Sequence, residues 1–321
     1  MSVRWRSLEW KSGRAIRQKD LCKGHETILI QNNSRTMTPT STRFDTRWRG
    51  VALGLAVALI GLIIWDGADR RAADSTLPLA QSPNSSIKNE SPDHLKLASF
   101  NIHGGKGSDG LRSLTRTAEL LTDIDFAGLY EVKAISGGAS SNQATVLAQP
   151  REAGWLFAPT ERRWWSDHFG NGLLYRIPVR SSLRVPLVNT RGKAYRNAIL
   201  STVELKRATV RIVAVHIDRE NDRRQQLKSV IELFLGLQKP CLLMGDLNTI
   251  ASDPLLEDLL ANPDVHSPLQ ESLEDGHLPS QNIDWIFTRG LSTISAKLIE
   301  NTASDHPLLQ AELVPEDVEE K

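Results

Sequence analysis

The chain from about Leu95 onward predicts a mixed α/β domain, on three observations. Apolar runs of strand length recur: LKLASFNI, FAGLYEV, GNGLLYRI, AILSTVEL, TVRIVAVHI, CLLMGDL and IDWIFTRG. Between some of them the spacing turns helical. Leu111 to Thr122 puts Leu111, Leu114, Ala118 and Leu121 on one face, Arg223 to Leu237 is amphipathic, and Pro254 to Leu260 is a short helix. AILSTVEL and TVRIVAVHI are separated only by KRA, too little chain for a crossover, so these two strands pair antiparallel. Alternating strands and helices with such a hairpin give a mixed sheet arrangement and not a purely parallel one.

Upstream, residues 1–47 carry Ser, Thr, Asn and basic side chains without a sustained period and predict little fixed structure. Val51 to Trp65 reads VALGLAVALIGLIIW and contains no charge. Residues 48–66, with Trp48 and Trp65 as interfacial anchors, predict a short transmembrane helix or, with Met37 as the start, a signal sequence cleaved near Ala68 or Ala72-Ala73. Eleven basic residues against four acids in 1–50 place that end in the cytoplasm and the rest outside it. Residues 67–92, rich in Ser, Pro, Ala and Asn, read as a flexible linker, 93–316 as the folded domain and 317–321 as an acidic tail.

With 40% hydrophobic and 24% charged residues, the 321-residue chain has the composition of a globular protein with a sizeable core. Its net charge of +1 excludes a uniformly basic nucleic-acid binder. Local charge says more, because Arg151 to Lys228 holds sixteen basic residues against seven acids, a basic surface for a polyanion. Cys22 and Cys241 fall on opposite sides of the apolar segment, and neither has zinc-ligand spacing. No feature points to a protein partner.

Polar residues gather where the apolar runs stop. Asn101 and Glu131 end the first two strands, His216 ends TVRIVAV, and Asp246 and Asn248 follow CLLMG. Asp284 opens WIF, and Asp305-His306 precede PLLQAEL. Carboxylates at the edges of buried elements are costly unless a cation compensates, and Glu, Asp and Asn together suit a hard divalent ion such as Mg²⁺, Mn²⁺ or Ca²⁺ better than zinc.

In this order, SFNIHGGKG, GLYEV, GNGLLYR, AVHIDR, MGDLNT, IDWIF and SDHPLL resemble the endonuclease/exonuclease/phosphatase superfamily, over about Leu95 to Leu313. The resemblance implies a deoxyribonuclease I-like, four-layer sandwich of two mixed β-sheets flanked by helices. It also implies a magnesium ion held by Glu131 with Asn101, and Asp305 beside it. Asp246 would orient or deprotonate the attacking water, steadied by Asn248, and His306, held by Asp284, would face the phosphoryl oxygens. His216 matches a histidine that some members use against the phosphate or leaving group. Two departures are visible: Tyr130 stands where the family's L-Q-E-V has Gln, and His103 where abasic-site endonucleases carry an acid.

The implied activity is hydrolysis of a phosphodiester by a metal-dependent phosphoric ester hydrolase. Trp164 and Trp165, beside two arginines in an expected loop ERRWWSDH, together with Asn171 and Arg196, are the candidates for binding substrate. Arg223 and Arg224 read as the solvated first turn of their helix. The basic middle segment favours nucleic acid as substrate, and the apolar N-terminal segment raises the alternatives of a lipid headgroup or a silent phosphate-binding module.

Overall fold

A computed structural model describes residues 46–68, 71–72, 79–81, 91–134, 141–163, 166–190 and 195–316. Residues 1–45, most of the expected linker, Trp164, Trp165 and the acidic tail 317–321 lie outside the described residues.

Helix α1 (Thr46–Ala68) has 23 residues, and its Trp48–Trp65 stretch has a mean hydropathy of 1.9 with none of it buried. At roughly 1.5 Å per residue such a helix matches the ~30 Å apolar core of a bilayer.

The chain then forms β1 (Arg71–Ala72), β2 (Ala80–Gln81), β3 (Leu95–Asn101), α2 (Leu114–Leu120), β4 (Phe126–Val132) and α3 (Gln143–Ala148). There follow β5 (Gly154–Arg163), β6 (Ser166–Tyr175), β7 (Val179–Pro186), β8 (Asn197–Glu204), β9 (Thr209–His216) and α4 (Arg223–Gly236). Last come β10 (Cys241–Asp246), α5 (Pro254–Leu260), α6 (Pro268–Ser272), β11 (Asp284–Arg289), β12 (Leu291–Ile299) and β13 (Leu308–Pro315).

These strands make two mixed sheets. One runs β1-β5-β6-β4-β3-β13-β12 with β2 also on β5, the other β11-β10-β9-β8-β7. Among the described residues, only β3–β4 and β9–β10 pair parallel. The predicted hairpin is β8–β9, antiparallel from Ala198↔Val215 to Glu204↔Thr209.

Period-2 alternation sorts the core into three layers. Leu97, Tyr130, Leu156, Ile212, Leu242 and Met244 fill the space between the sheets. Phe100, Leu129 and Phe157 face Leu121 and Leu147 on the outside of the first sheet, while Val213, Leu243 and Phe287 face Leu227 and Phe234 outside the second. Helices, sheet, sheet and helices thus give the expected four layers. Each fully buried Leu or Phe contributes roughly 1.5–3 kcal/mol.

Two local readings change. Leu111 is exposed and lies before α2, because Asp109 Oδ1 accepts its N–H and Gly110 takes a φ of 80°, closing a turn there. ERRWWSDH is not a loop throughout: β5 runs to Arg163 and β6 starts at Ser166, so the two strands of a hairpin extend into it.

Candidate active site

Side chains opposite each other in a register row share a face of the sheet. Asp246 on β10 lies opposite His216 on β9 and opposite Asp284 on β11. Met244 and Ile286, two positions along, belong to the inter-sheet core. The three polar residues therefore end that core. Asn101 does the same for β3, whose Leu95 and Leu97 point between the sheets.

Asn101 joins the two sheets, its Nδ2 donating to Asp246 Oδ2 at 2.9 Å. The other oxygen, Asp246 Oδ1, accepts the Asn248 backbone N–H at 2.9 Å. Asn248 adopts a φ of 44° to make that turn, and its Nδ2 donates to Ile217 O at 3.1 Å and lies 3.2 Å from His216 Nε2. His306 directs Nδ1 to Asp284 Oδ2 at 2.8 Å, leaving Nε2 3.8 Å from Asp246 Oδ2 and 3.5 Å from Asn101 Nδ2. Ser304 Oγ donates to Asn101 O at 2.7 Å and pins the His306 loop to β3.

Glu131 breaks the alternation of β4. It has a φ of 57°, inside a register shift between Leu129 and Val132, and such a bulge re-aims a side chain. Its half-buried carboxylate makes no hydrogen bond among the described residues. Asp305 is half-exposed, with Oδ1 3.1 Å from His103 Nδ1.

Burial pushes the Asp246 carboxyl up, reinforced by the charge of Asp284 and opposed by His306 and the Asn101 amide. For His306 burial works downward, but the hydrogen bond and charge of Asp284, with Asp246 and Asp305, outweigh it and raise the imidazole to about 9. Burial also raises the Asp284 carboxyl, which would assign the shared proton to the acid. An Nδ1 proton donated to an ionised Asp284 satisfies the 2.8 Å contact, and the charges of Asp284, Asp246 and Asp305 then favour a second proton on the ring. His216 goes the other way: burial and the charges of Arg196 and His306 hold it well below the usual range, so it is neutral.

Of the substrate-binding candidates, Asn171 is buried and donates to Asn197 O and Oδ1 at 2.8 and 3.2 Å, so its amide serves the scaffold. Arg196 lies just before β8 with its guanidinium 5.3 Å from the Phe169 ring centroid. Arg223, expected to be solvated, instead donates to Asn248 O at 3.1 Å and is half-buried. Its place in a helix first turn hides that role in the sequence.

The donors suit a hard divalent ion. Among the described residues, Glu131 offers a carboxylate without hydrogen bonds, and Asp284 Oδ1 is buried without a partner. Asp246, Asp284 and His306 bring one ligand atom each within 4.8 Å of one another. The His306–Asp284 bond already occupies one edge of that group, which leaves Glu131 as the less engaged carboxylate.

An aspartate fixed by amides, an Asp–His pair and an unengaged carboxylate at one end of a two-sheet core define a metal-dependent phosphoric ester hydrolase. A family model described as Endonuclease/Exonuclease/phosphatase family matches residues 98–306, and the chain belongs to that family, whose members depend on divalent metal. No curated protein matches the chain in sequence. Among solved structures, it is similar to an endonuclease/exonuclease/phosphatase from Beutenbergia cavernae (TM-score 0.55, 20% identity, 70% of this chain and 72% of that one). It is also similar to the human Nocturnin catalytic domain with bound sulfate (0.55, 18%, 70% and 94%) and to humanized D. rerio TDP2 (0.52, 17%, 69% and 99%). At these identities the likeness is one of fold.

Proposed function

We propose that this phosphoesterase hydrolyses phosphodiester bonds of DNA or RNA outside the cytoplasm, with Mg²⁺ as its ion. The observation that carries the chemistry is the Asp246 carboxylate, fixed on one oxygen by Asn101 and on the other by the Asn248 N–H. Its raised pKa suits it to take the proton of the attacking water near neutral pH. His306, kept protonated by Asp284, donates through Nε2 to a nonbridging phosphoryl oxygen where charge develops. His216, closed from solvent, orients Asn248 and Asp246 and is a positioning residue. Glu131, Asn101 through Oδ1, and Asp305 would hold the ion. When bound, it supplies Lewis-acid polarisation of the phosphoryl oxygens and a template for substrate.

A polyanionic substrate is supported by crowding of like charge beside Glu131. Burial, then the charges of Arg112 and Lys106, depress the Lys133 ammonium, with Glu131 opposing. A phosphate backbone relieves such repulsion. The exposed apolar α1 supports export and a membrane anchor, with a cleaved signal as the other outcome.

The test is the full chain in detergent with supercoiled DNA, RNA and bis-p-nitrophenyl phosphate, in Mg²⁺, Mn²⁺ or EDTA, beside Glu131→Ala and His306→Ala. Metal-dependent polynucleotide cleavage lost in both variants supports the reading; cleavage of the small diester alone removes nucleic acid from it. The membrane-facing helix favours a second substrate class, lipid headgroups, for which headgroup release from liposomes without polynucleotide cleavage is the signature. Alkaline carbonate extraction of membranes, followed by N-terminal sequencing, separates anchor from cleaved signal.

A further inference from the structure

Arg196 has no role in the chemistry above, yet its guanidinium is half-buried beside the site without a partner among the described residues. Its Nε is closed from solvent without a hydrogen-bond partner, and the guanidinium makes no hydrogen bond or ion pair among the described residues. Arg196 is half-buried, and its two terminal nitrogens are not closed from solvent, so they are open to an anion while Nε is held inside. The nearby acids do not close on it. Asp218 is already engaged by three backbone N–H groups, of Arg219, Asn221 and Asp222. What holds the guanidinium is the Phe169 ring, 5.3 Å from its central carbon, with the chain beside it tied by Leu187 N–H to Arg196 O at 3.0 Å. That ring in turn lies 6.3 Å from the His216 ring, and His216 touches both Asp246 and Asn248. The guanidinium therefore lies one ring away from the proposed base and its positioning histidine.

We propose that Arg196 is a substrate-binding residue whose guanidinium takes a nonbridging oxygen of the scissile phosphate, with the Phe169 face setting its plane. A planar fork of donors matches a phosphoryl group, which supplies the missing charge and the missing acceptors together. Proximity to the Asp246–His216 contact assigns the scissile phosphate and not a neighbouring one. Burial lowers the guanidinium pKa, and its charge is felt by Glu131 and Asp246, in keeping with a cation facing the reaction centre. The inference rests on the phosphodiesterase reading for its substrate but has a binding readout of its own.

The experiment compares the full chain in detergent with Arg196→Met and Arg196→Lys. In EDTA, thermal unfolding is followed with increasing inorganic phosphate. Arg196→Met, which keeps the packing on Phe169 but removes the charge, is expected to unfold at the wild-type temperature or above it without phosphate. It is also expected to lose the phosphate-dependent rise that wild type shows, while Arg196→Lys keeps part of it. In Mg²⁺ or Mn²⁺, kcat/KM falls about 100-fold for Arg196→Met on both bis-p-nitrophenyl phosphate and a single-stranded oligonucleotide. A lower melting temperature with the phosphate response intact makes Arg196 structural and overturns the proposal, as does a wild type blind to phosphate. Loss on the oligonucleotide alone overturns the scissile assignment in favour of a flanking phosphate. A wild type that hydrolyses nothing in any metal but keeps its Arg196-dependent phosphate response sinks the catalytic reading and leaves the anion site standing.

Discussion

Replacing Asp284 by Asn tests the charge that organises the site. His306 Nδ1 lies 2.8 Å from Asp284 Oδ2, and the imidazole is raised to about 9 although burial alone would lower it. Against an ordinary value of ~6.5 this rise corresponds to about 3 kcal/mol. The folded protein therefore holds this proton more tightly than the unfolded chain. The stability it contributes is complete below about pH 6.5 and disappears as pH rises through about 9. Asp284→Asn keeps a hydrogen-bonding group but removes the charge, leaving burial opposed by Asp246 and Asp305 alone. His306 should then titrate at or below about 6.5. Nitrogen chemical shifts of ¹⁵N-histidine in metal-free protein give the titration directly. Urea unfolding at pH 6 and pH 9.5 gives the energetic counterpart, with wild type losing about 3 kcal/mol more than the variant across that interval. A wild-type His306 that titrates near 6.5, or one still at 9 in Asp284→Asn, would refute the reasoning.

Three further outcomes follow from named contacts. Glu131→Gln should weaken Mn²⁺ binding at least tenfold by calorimetry, whereas equal affinity would move the ion to the Asp246–Asp284–His306 group. Glu131→Gly should abolish hydrolysis yet raise stability by about 1 kcal/mol, since a non-glycine residue held at a φ of 57° carries strain that glycine does not; a fall in melting temperature would contradict this. Tyr130→Phe removes the hydroxyl that donates to Met244 O at 3.1 Å between the sheets, and should cost about 1 kcal/mol in denaturant unfolding without changing metal affinity.

What the sequence displays and what it conceals follow from burial. Strands β9 and β10 are nearly or wholly enclosed, so they read as continuous apolar runs. Strands β7 and β12 are the last strands of their sheets, and side chains such as Leu183 and Ile294 stay exposed, so VRSSLRVP and LSTISAKLI show no such run. The site residues were visible one by one because each borders an apolar run. Their meeting was not, since the Asn101–Asp246 bond joins residues 145 positions apart on different sheets. Residue type alone also hid Arg223, whose helical turn faces the Asn248 carbonyl.

Backbone strain adds what composition cannot. His103, Glu131 and Asn248 adopt φ values of 47°, 57° and 44°, a region that side chains other than glycine's rarely occupy. Each carries a side chain or an amide that the site uses. The His103 N–H donates to Asn101 Oδ1 at 3.0 Å, the Asn248 N–H to Asp246 Oδ1 at 2.9 Å, and the Glu131 bulge presents a carboxylate without hydrogen bonds. Glycine would relax all three backbones and keep the backbone N–H groups, but it would remove the Glu131 carboxylate and the Asn248 amide that lies against His216, so ease of folding and chemistry ask for different residues there. The strain persists because the apolar runs on either side over-determine the local conformation. The same strands that make the fold legible thus hold the site's least legible residues in place.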